Sequence, residues 1–150
     1  MRRRSFLLAA LALPALRLPA HAAQGPEIRV LKSPSCGCCT AWADHLSAAG
    51  FSVDLRDVPN EQLWTMKDRL GIGDETASCH TAMIEGYVIE GHVPAEDITR
   101  LINERPDALG LAVPGMPIGS PGMEMGDSTE PFTTLLLLAD GETRAFARHG

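Results

Sequence analysis

Three of the four cysteines of this 150-residue chain lie within one short stretch, SPSCGCCTAW, as Cys36, Cys38 and Cys39. A thiol–disulfide enzyme needs only a Cys-x-x-Cys pair, and Cys36 and Cys39 supply that pair. Thiolate sulfur is also a preferred ligand of soft metal ions such as Cu(I). A third thiol at Cys38 adds little to disulfide exchange and invites incorrect disulfides, whereas a metal site can use it directly. The motif therefore favours metal binding over plain disulfide exchange.

The fourth cysteine, Cys79, is followed directly by His80. Cys79 can complete a set of four thiolates, and His80 can supply an imidazole to the metal or orient a ligand by hydrogen bonding. The alternative for Cys79 is a structural disulfide with Cys38, since exported chains with four cysteines commonly form two bridges. His80 can equally be an ordinary hydrogen-bonded histidine. His92 is a weaker candidate, because a lone histidine at the end of a strand is usually structural.

A second group of soft donors lies further along, in the stretch PGMPIGSPGMEM. A thioether suits Cu(I) and does little for zinc or magnesium. A methionine in a polar, glycine-rich loop has little core to fill, which favours a role as a copper ligand. The alternative is that these side chains only hold the loop against the domain. The methionines concerned are Met116, Met123 and Met125.

The predicted elements place the cysteine motif at a turn between a strand and a helix. Alternating apolar and polar residues predict a strand at 27–32, and the motif follows at once. Helical spacing of apolar residues then predicts a helix from Cys39 to Ala49, which Gly50 ends. The unpaired amides and the dipole at a helix start favour thiolate over thiol. The position thus suits both disulfide exchange and metal binding.

The remaining elements complete an α/β domain of the thioredoxin-like type, with the order βαβαββα. In that arrangement the loop before the third strand packs against the Cys-x-x-Cys turn. We therefore expect Cys79 to face Cys36 and Cys39, whereas Cys38 points elsewhere. The further predicted elements are a strand at 52–58, a helix at 60–70, strands at 81–85 and 87–93, and a helix from Pro94 that Pro106 ends.

Residues 105–131 interrupt this regular pattern with five prolines and five glycines. A loop of this length inside a compact domain is usually functional or disordered. Two strand-like runs around Asp140-Gly141 then predict a C-terminal β-hairpin at 132–148. The predicted organisation is one domain over 23–150, with a core at 27–104 followed by the loop and the hairpin.

Residues 1–22 have the features of a secretory signal peptide. Arg2–Arg4 precede an apolar run at 6–13, and Ala20–Ala22 provide a small-residue cleavage site. A membrane anchor is the alternative, but the apolar run is short and is interrupted by prolines and an arginine. The string RRSFL at 3–7 fits a twin-arginine export signal as well as a plain one.

The charge of the chain argues against one class of partner. Its 13 basic and 19 acidic residues give a net charge of −6, and loss of the four arginines of the signal peptide would make this −10. An acidic chain with few aromatic residues and no basic stripe is a poor binder of nucleic acid.

No segment after the signal peptide is long enough to cross a bilayer. We expect a soluble periplasmic protein.

Three segments resemble one known family. SPSCGCCTAW, ASCHTAMIEGYVIEGHVPAEDI and GLAVPGMPIGSPGMEMG are similar to CopG-type copper-resistance proteins, small exported metal-binding proteins also classed as a domain of unknown function. The similarity covers roughly residues 27–148. It implies a thioredoxin-like fold, copper bound by cysteine thiolates, and a part in periplasmic copper tolerance through copper redox chemistry. The ligands it implies are Cys36, Cys38, Cys39 and Cys79, with His80 and the three methionines as further candidates.

Three functions remain open at this point. The first is copper handling, in which the chain binds one or several Cu(I) ions, cycles them with Cu(II), or exchanges them with other periplasmic copper-handling proteins. The second is a thiol–disulfide oxidoreductase with Cys36 as nucleophile and Cys39 as resolving thiol. The third is an iron–sulfur or zinc protein, since four cysteines satisfy either count. Either of the first two could make the chain an enzyme, a copper or thiol oxidoreductase.

Overall fold

A computed structural model describes residues 25–150. The predicted signal peptide at 1–22 lies outside this range. Among the described residues, no helix combines the length and apolar composition that a bilayer crossing requires. The same residues form, in chain order, β1 (Glu27–Lys32), α1 (Gly37–Ala48), β2 (Ser52–Asp57), α2 (Asn60–Arg69), β3 (His80–Ile84), β4 (Tyr87–Gly91), α3 (Ala95–Glu104), β5 (Gly110–Val113), β6 (Phe132–Leu137) and β7 (Thr143–His149).

The strands form one sheet in the order β2-β1-β3-β4-β5-β6-β7. Strand β1 is parallel to β2 and antiparallel to β3, and β3 is antiparallel to β4. These four strands and the three helices follow the predicted order βαβαββα. The mixed α/β fold of the thioredoxin-like type is therefore confirmed, with element ends within about two residues of the predicted ones, the usual scatter of such boundaries.

The start of α1 is held against the core by its apolar stripe. Trp42 and Leu46 lie four residues apart on one face and are completely buried. The indole Nε1 of Trp42 donates a hydrogen bond to the carbonyl of Val93 at 2.9 Å, so its polar atom is satisfied inside the core. This packing fixes the helix turn on which the cysteine motif lies.

The segment predicted as an uninterrupted loop contains β5. Its four residues pair in parallel with β4 and are all buried. A strand that is buried throughout shows no alternation of polar and apolar residues. Because β5 is also only four residues long and is flanked by prolines and glycines, the sequence pattern did not predict it. The predicted hairpin is present as β6 and β7, and β5 joins it to the main sheet.

The hairpin of β3 and β4 positions Cys79 and His92, which flank its two strands. Its two-residue turn is formed by Glu85 and Gly86, both with positive φ, 47° and 91°. This turn sets Thr81 opposite Glu90. Extending the same pairing by two residues on each strand brings the position of Cys79 opposite that of His92.

Candidate metal centre

Four cysteine sulfurs meet at the N-terminus of α1. Cys36 is the residue that precedes the helix, Cys38 and Cys39 lie in its first turn, and Cys79 directly precedes β3. The sulfur of Cys79 lies 3.2 Å from that of Cys39 and 3.7 Å from that of Cys38. The sulfurs of Cys36 and Cys38 are 3.4 Å apart. All four lie within 4.8 Å of one another.

The four sulfurs are in two oxidation states. Cys36 and Cys39 form a disulfide with a Cα–Cα separation of 5.5 Å, a usual spacing for such a bond. Cys38 and Cys79 are free thiols. The alternative disulfide between Cys38 and Cys79 is therefore not the one the structure contains. The chain is described in a half-oxidised state, with one disulfide and two thiols.

The side chain of Cys38 differs from its predicted direction. We expected it to point away from Cys36 and Cys39, as helical spacing would dictate. Cys36, however, has an extended backbone, with φ −82° and ψ 98°, and lies outside the helix. The rotation between successive residues of a helix therefore does not set the angle between the side chains of Cys36 and Cys38. Both sulfurs reach the same cluster.

The thiols of the cluster differ in exposure and acidity. Cys39 is completely buried, and the other three cysteines are half-buried. Burial raises the pKa of Cys79 to about 12, and the neighbouring Cys38 sulfur adds to this rise. Cys79 is therefore protonated at neutral pH in the metal-free chain. A metal ion that binds there must displace the proton, so binding becomes stronger as pH rises.

Two buried histidines face Cys79. The Nε2 of His92 lies 3.2 Å from its sulfur, and the Nδ1 of His80 lies 3.4 Å from it. The Nδ1 of His92 is 2.8 Å from the carbonyl of Pro121, which can only accept, so this nitrogen carries the proton and Nε2 presents its lone pair. Burial lowers the pKa of both histidines. Both are neutral near pH 7, the state in which imidazole binds metals.

The structure places His92, the weaker candidate of the sequence analysis, beside Cys79. Its place next to Cys79 follows from the register of the β3–β4 hairpin rather than from any local motif. The tight turn at Glu85-Gly86 was visible in the sequence, and pairing outward from it would have set the two residues opposite each other.

The Pro/Gly/Met-rich loop covers the start of α1. At Gly122, where φ is 84°, an added Cβ would lie 2.7 Å from both the carbonyl oxygen of Cys38 and the amide of Trp42. Met123 follows directly and is half-buried. Met116 and Met125 are 51% and 61% exposed. Met123 thus directly follows the loop residue that packs against the cysteine turn.

A buried polar network that sequence reasoning missed holds the loop before β3. The Glu90 carboxylate accepts hydrogen bonds from the backbone N–H of Ser78, at 2.6 Å, and from the Thr81 hydroxyl, at 2.6 Å. The Lys67 ammonium donates to Thr81 at 2.8 Å and forms an ion pair with Glu90. Burial raises the pKa of Glu90, and Lys67 opposes this rise. The network fixes the peptide that precedes Cys79.

A cavity of about 230 Å³ gives access to the cluster. Cys36 and Cys79 line it, together with Trp64, which is half exposed. A larger groove of about 560 Å³ lies between β1 and α2 and contains none of the cysteines or histidines. The smaller cavity is therefore the one relevant to the metal centre.

Comparison with known proteins agrees with this geometry. A family model described as a protein of unknown function, DUF411, matches residues 76–123. Two solved structures of copper resistance protein CopG are 43% identical in sequence to the chain. Form 2 has a TM-score of 0.78 and the match covers 84% of this chain and 99% of that one; for form 1 the values are 0.77, 83% and 98%. No curated protein matches the chain.

Proposed function

This chain belongs to the family of copper resistance protein CopG, and we propose that it contributes to copper resistance by binding Cu(I) through its four cysteines. The observation that carries the proposal is the convergence of four sulfurs within 4.8 Å from two distant parts of the chain. Thiolates are soft donors and favour Cu(I) over harder ions. The proposed ligands are Cys36, Cys38, Cys39 and Cys79.

The spacing of the donors fits metal binding. With metal–sulfur bonds of about 2.3 Å, the length found in zinc–thiolate sites, two sulfurs on one ion are separated by at most about 4.6 Å. The contacts of Cys79 with Cys38 and Cys39, at 3.7 and 3.2 Å, lie inside this limit. A thiolate can also bridge two ions. Once the disulfide is reduced, the four sulfurs can therefore hold several Cu(I) ions.

The same cysteines can supply electrons to copper. Two thiolates each give one electron to a Cu(II) ion and join as a disulfide, which yields two Cu(I) ions. The Cys36–Cys39 disulfide is the sulfur product of such a reaction. A thiol reductant, either a dithiol protein or a small thiol, would restore the pair by exchange. This supports a redox role for the chain in addition to binding.

The proposed place of action is the periplasm, after export under the signal peptide predicted at 1–22. The proposed partners are other periplasmic copper-handling proteins that donate or accept Cu(I). The cavity beside the cluster supports such exchange, because Cys36 and Cys79 both line it and an incoming donor group can reach their sulfurs.

One observation favours a second function, thiol–disulfide exchange. Cys36 lines the cavity whereas Cys39 is completely buried, so an incoming thiolate can reach only Cys36. Attack there would release Cys39 as the leaving thiolate. Replacement of Cys38 separates the two functions: Cys38→Ser should leave disulfide exchange unchanged but weaken copper binding.

The stoichiometry of bound metal tests the proposal. The mature chain should be reduced, loaded with Cu(I) under anaerobic conditions, freed of excess copper, and analysed for copper, zinc, iron and free thiols. We expect copper at one or more ions per chain and a thiol count that falls when copper is bound. Four free thiols with no retained copper would contradict the proposal.

A further inference from the structure

The cavity beside the cysteine centre gives a reductant its route to the Cys36–Cys39 disulfide. Cys36 lines this cavity of about 230 Å³, whereas Cys39 is completely buried. Disulfide exchange requires that a thiolate reach one of the two sulfurs. A molecule that reduces this disulfide must therefore contact the side chains that surround the opening of the cavity.

Trp64 lies at this opening. Among residues 25–150, four large apolar side chains are exposed, and Trp64 is the one of them that lines the cavity. The buried ammonium of Lys67 lies 5.8 Å from the centroid of its ring, a separation at which a cation attracts an aromatic face. The indole is thus held against the protein on one side, while about half of its surface is in solvent. Tryptophan is one of the residue types that contribute most binding energy when a partner covers them.

Acidic residues flank Trp64 on the exposed face of α2. Glu61 precedes it by three positions and Asp68 follows it by four, the spacings that make side chains neighbours on a helix. Both are exposed, and neither forms an ion pair with another residue of the described range. We call these three residues the acidic tryptophan face. A partner that covers the indole must lie against both carboxylates, which favours a positively charged partner surface.

The basic residues of the same region do not offset this charge. Lys67 is buried and forms an ion pair with Glu90. Lys32, at the end of β1, is also buried, and its Nζ lies 2.8 Å from a carboxylate oxygen of Asp57. Arg69 is exposed, but it lines the larger groove between β1 and α2 and not the cavity. The opening therefore presents an aromatic ring bordered by negative charge.

We propose that the acidic tryptophan face docks a dithiol protein with a basic surface, and that this protein reduces the Cys36–Cys39 disulfide. The inference rests on the proposed function, because it names the reductant that restores the same cysteine pair. The two carboxylates select a basic partner by charge complementarity. The exposed indole selects a protein over a small thiol, since a small thiol has too little surface to cover it.

The exchange balances between the two proteins. A thiolate of the partner attacks the sulfur of Cys36, the bond to Cys39 breaks, and Cys39 leaves with both electrons of that bond. The second thiolate of the partner then attacks the partner sulfur of the mixed disulfide and releases Cys36. The partner ends as a disulfide, and the two electrons and two protons that it loses convert the pair to two thiols. Cys39 is a suitable leaving group, because its place in the first turn of α1 favours the thiolate.

Reduction by synthetic peptides tests whether the docking surface prefers a basic partner. Two peptides carry a Cys-x-x-Cys dithiol with leucines beside it, one with lysines at both ends and the other with glutamates. Each is mixed with the disulfide form of the mature chain, and alkylation followed by mass spectrometry counts the thiols as they rise from the two that are free at the start. We expect the basic peptide to react about tenfold faster or more at low salt, with a smaller difference at high salt. Equal rates for the two peptides would overturn the proposal.

Variants test the individual side chains of the acidic tryptophan face. Trp64→Ala should lower the ratio of the rate constant for the basic peptide to that for dithiothreitol about tenfold, and this ratio corrects for altered access to the disulfide. Glu61→Gln combined with Asp68→Asn should reduce the preference for the basic peptide. Gln62→Ala, on the groove side of α2, and Asp107→Asn, just before β5, are controls that should change neither quantity. A ratio unchanged by Trp64→Ala, or a preference unchanged by the double charge variant, would contradict the proposal.

Copper binding by the chemically reduced chain separates this inference from the proposed function. Wild type and the variants are reduced with dithiothreitol, freed of it, and loaded with Cu(I) under anaerobic conditions. If they bind Cu(I) but the peptide rates show no docking, this inference is wrong and the proposed function stands. If the reduced wild-type chain binds no Cu(I), the proposed function itself fails.

Discussion

The sulfur of Cys79 lies 3.2 Å from the sulfur of Cys39, although the two residues are 40 positions apart in the chain. Strand pairing explains this approach. Lys32 at the end of β1 pairs with His80 at the start of β3. The turn that leaves β1 and the loop that enters β3 therefore lie side by side. The tertiary fold, rather than the local cysteine motif, assembles the complete set of sulfurs.

The contact of Gly122 with α1 predicts a substitution that disturbs the site through the backbone. An alanine Cβ there would clash with backbone atoms of Cys38 and Trp42 at a residue with positive φ. We expect Gly122→Ala to lower the free energy of unfolding by about 2–5 kcal/mol, the sum of overpacking and left-handed strain. Because the loop must shift away from Cys38, Cu(I) affinity should also fall. Urea unfolding and copper competition measure the two effects.

Gly126 offers a matched control in the same loop. It too has positive φ, 63°, but an added Cβ meets nothing within 4 Å. Gly126→Ala should lower the free energy of unfolding only by the backbone strain, about 1–2 kcal/mol, and leave Cu(I) affinity unchanged. If both substitutions change Cu(I) affinity equally, the contact of Gly122 with α1 does not determine that affinity.

The buried pair of Lys67 and Glu90 predicts a strongly coupled double-mutant cycle. Lys67→Met leaves a buried carboxylate without its cation, which should cost about 3–5 kcal/mol of unfolding free energy. In the double variant with Glu90→Gln the carboxylate is gone, and the amide can still accept the Ser78 N–H. We expect most of the loss to be recovered. Urea unfolding of the four chains measures the coupling, and additive losses would argue against the ion pair.

The same variant should have a defined dependence on pH. Burial raises the pKa of Glu90, and Lys67 counteracts this rise. Without Lys67 the folded chain keeps a proton on Glu90 that the unfolded chain releases near pH 4.3, the ordinary value. The stability of Lys67→Met relative to wild type should therefore fall as pH rises from about 4 towards 7. Urea unfolding at several pH values tests this, and a relative stability that rises with pH would contradict it.

The thioredoxin-like core could be predicted from the sequence because each of its elements carries a local pattern. The alternation in β1 and the stripe of Trp42 and Leu46 in α1 are properties of neighbouring residues. The strand β5 could not be predicted in this way. It is short and buried throughout, and its pairing with β4 depends on contacts that no local pattern encodes.

The candidate site was predictable to a similar degree. Cys79 could be placed opposite the motif once the order of elements was known. The direction of Cys38 depends on the extended backbone of Cys36, and the position of His92 depends on hairpin register. The Lys67–Glu90 network could not be foreseen, because a lysine on a helix is normally solvated and its burial follows from tertiary packing.

A hydrogen-bonded cluster that contains none of the candidate metal ligands supplies a test of specificity. His149 in β7 lies with its Nε2 2.8 Å from the buried carboxylate of Asp97, which also accepts from Thr134. We expect His149→Ala to lower the unfolding free energy by about 1 kcal/mol, since one hydrogen bond is lost, and to leave copper affinity unchanged. Arg148→Ala, at an exposed position of the same strand, is the control and should change neither. Altered copper affinity in His149→Ala would show that the metal centre extends further than described.

Competition for Cu(I) between the reduced chain and a chromophoric chelator tests the central claim most directly. The four-thiolate centre predicts that Cys38→Ser and Cys79→Ser each weaken Cu(I) binding by about 100-fold or more, since each removes a ligand and not merely a supporting group. Ser35→Ala, at an exposed position beside the motif, should bind as wild type does. If Cys38→Ser and Cys79→Ser bind Cu(I) as tightly as wild type, the four sulfurs do not form the copper site.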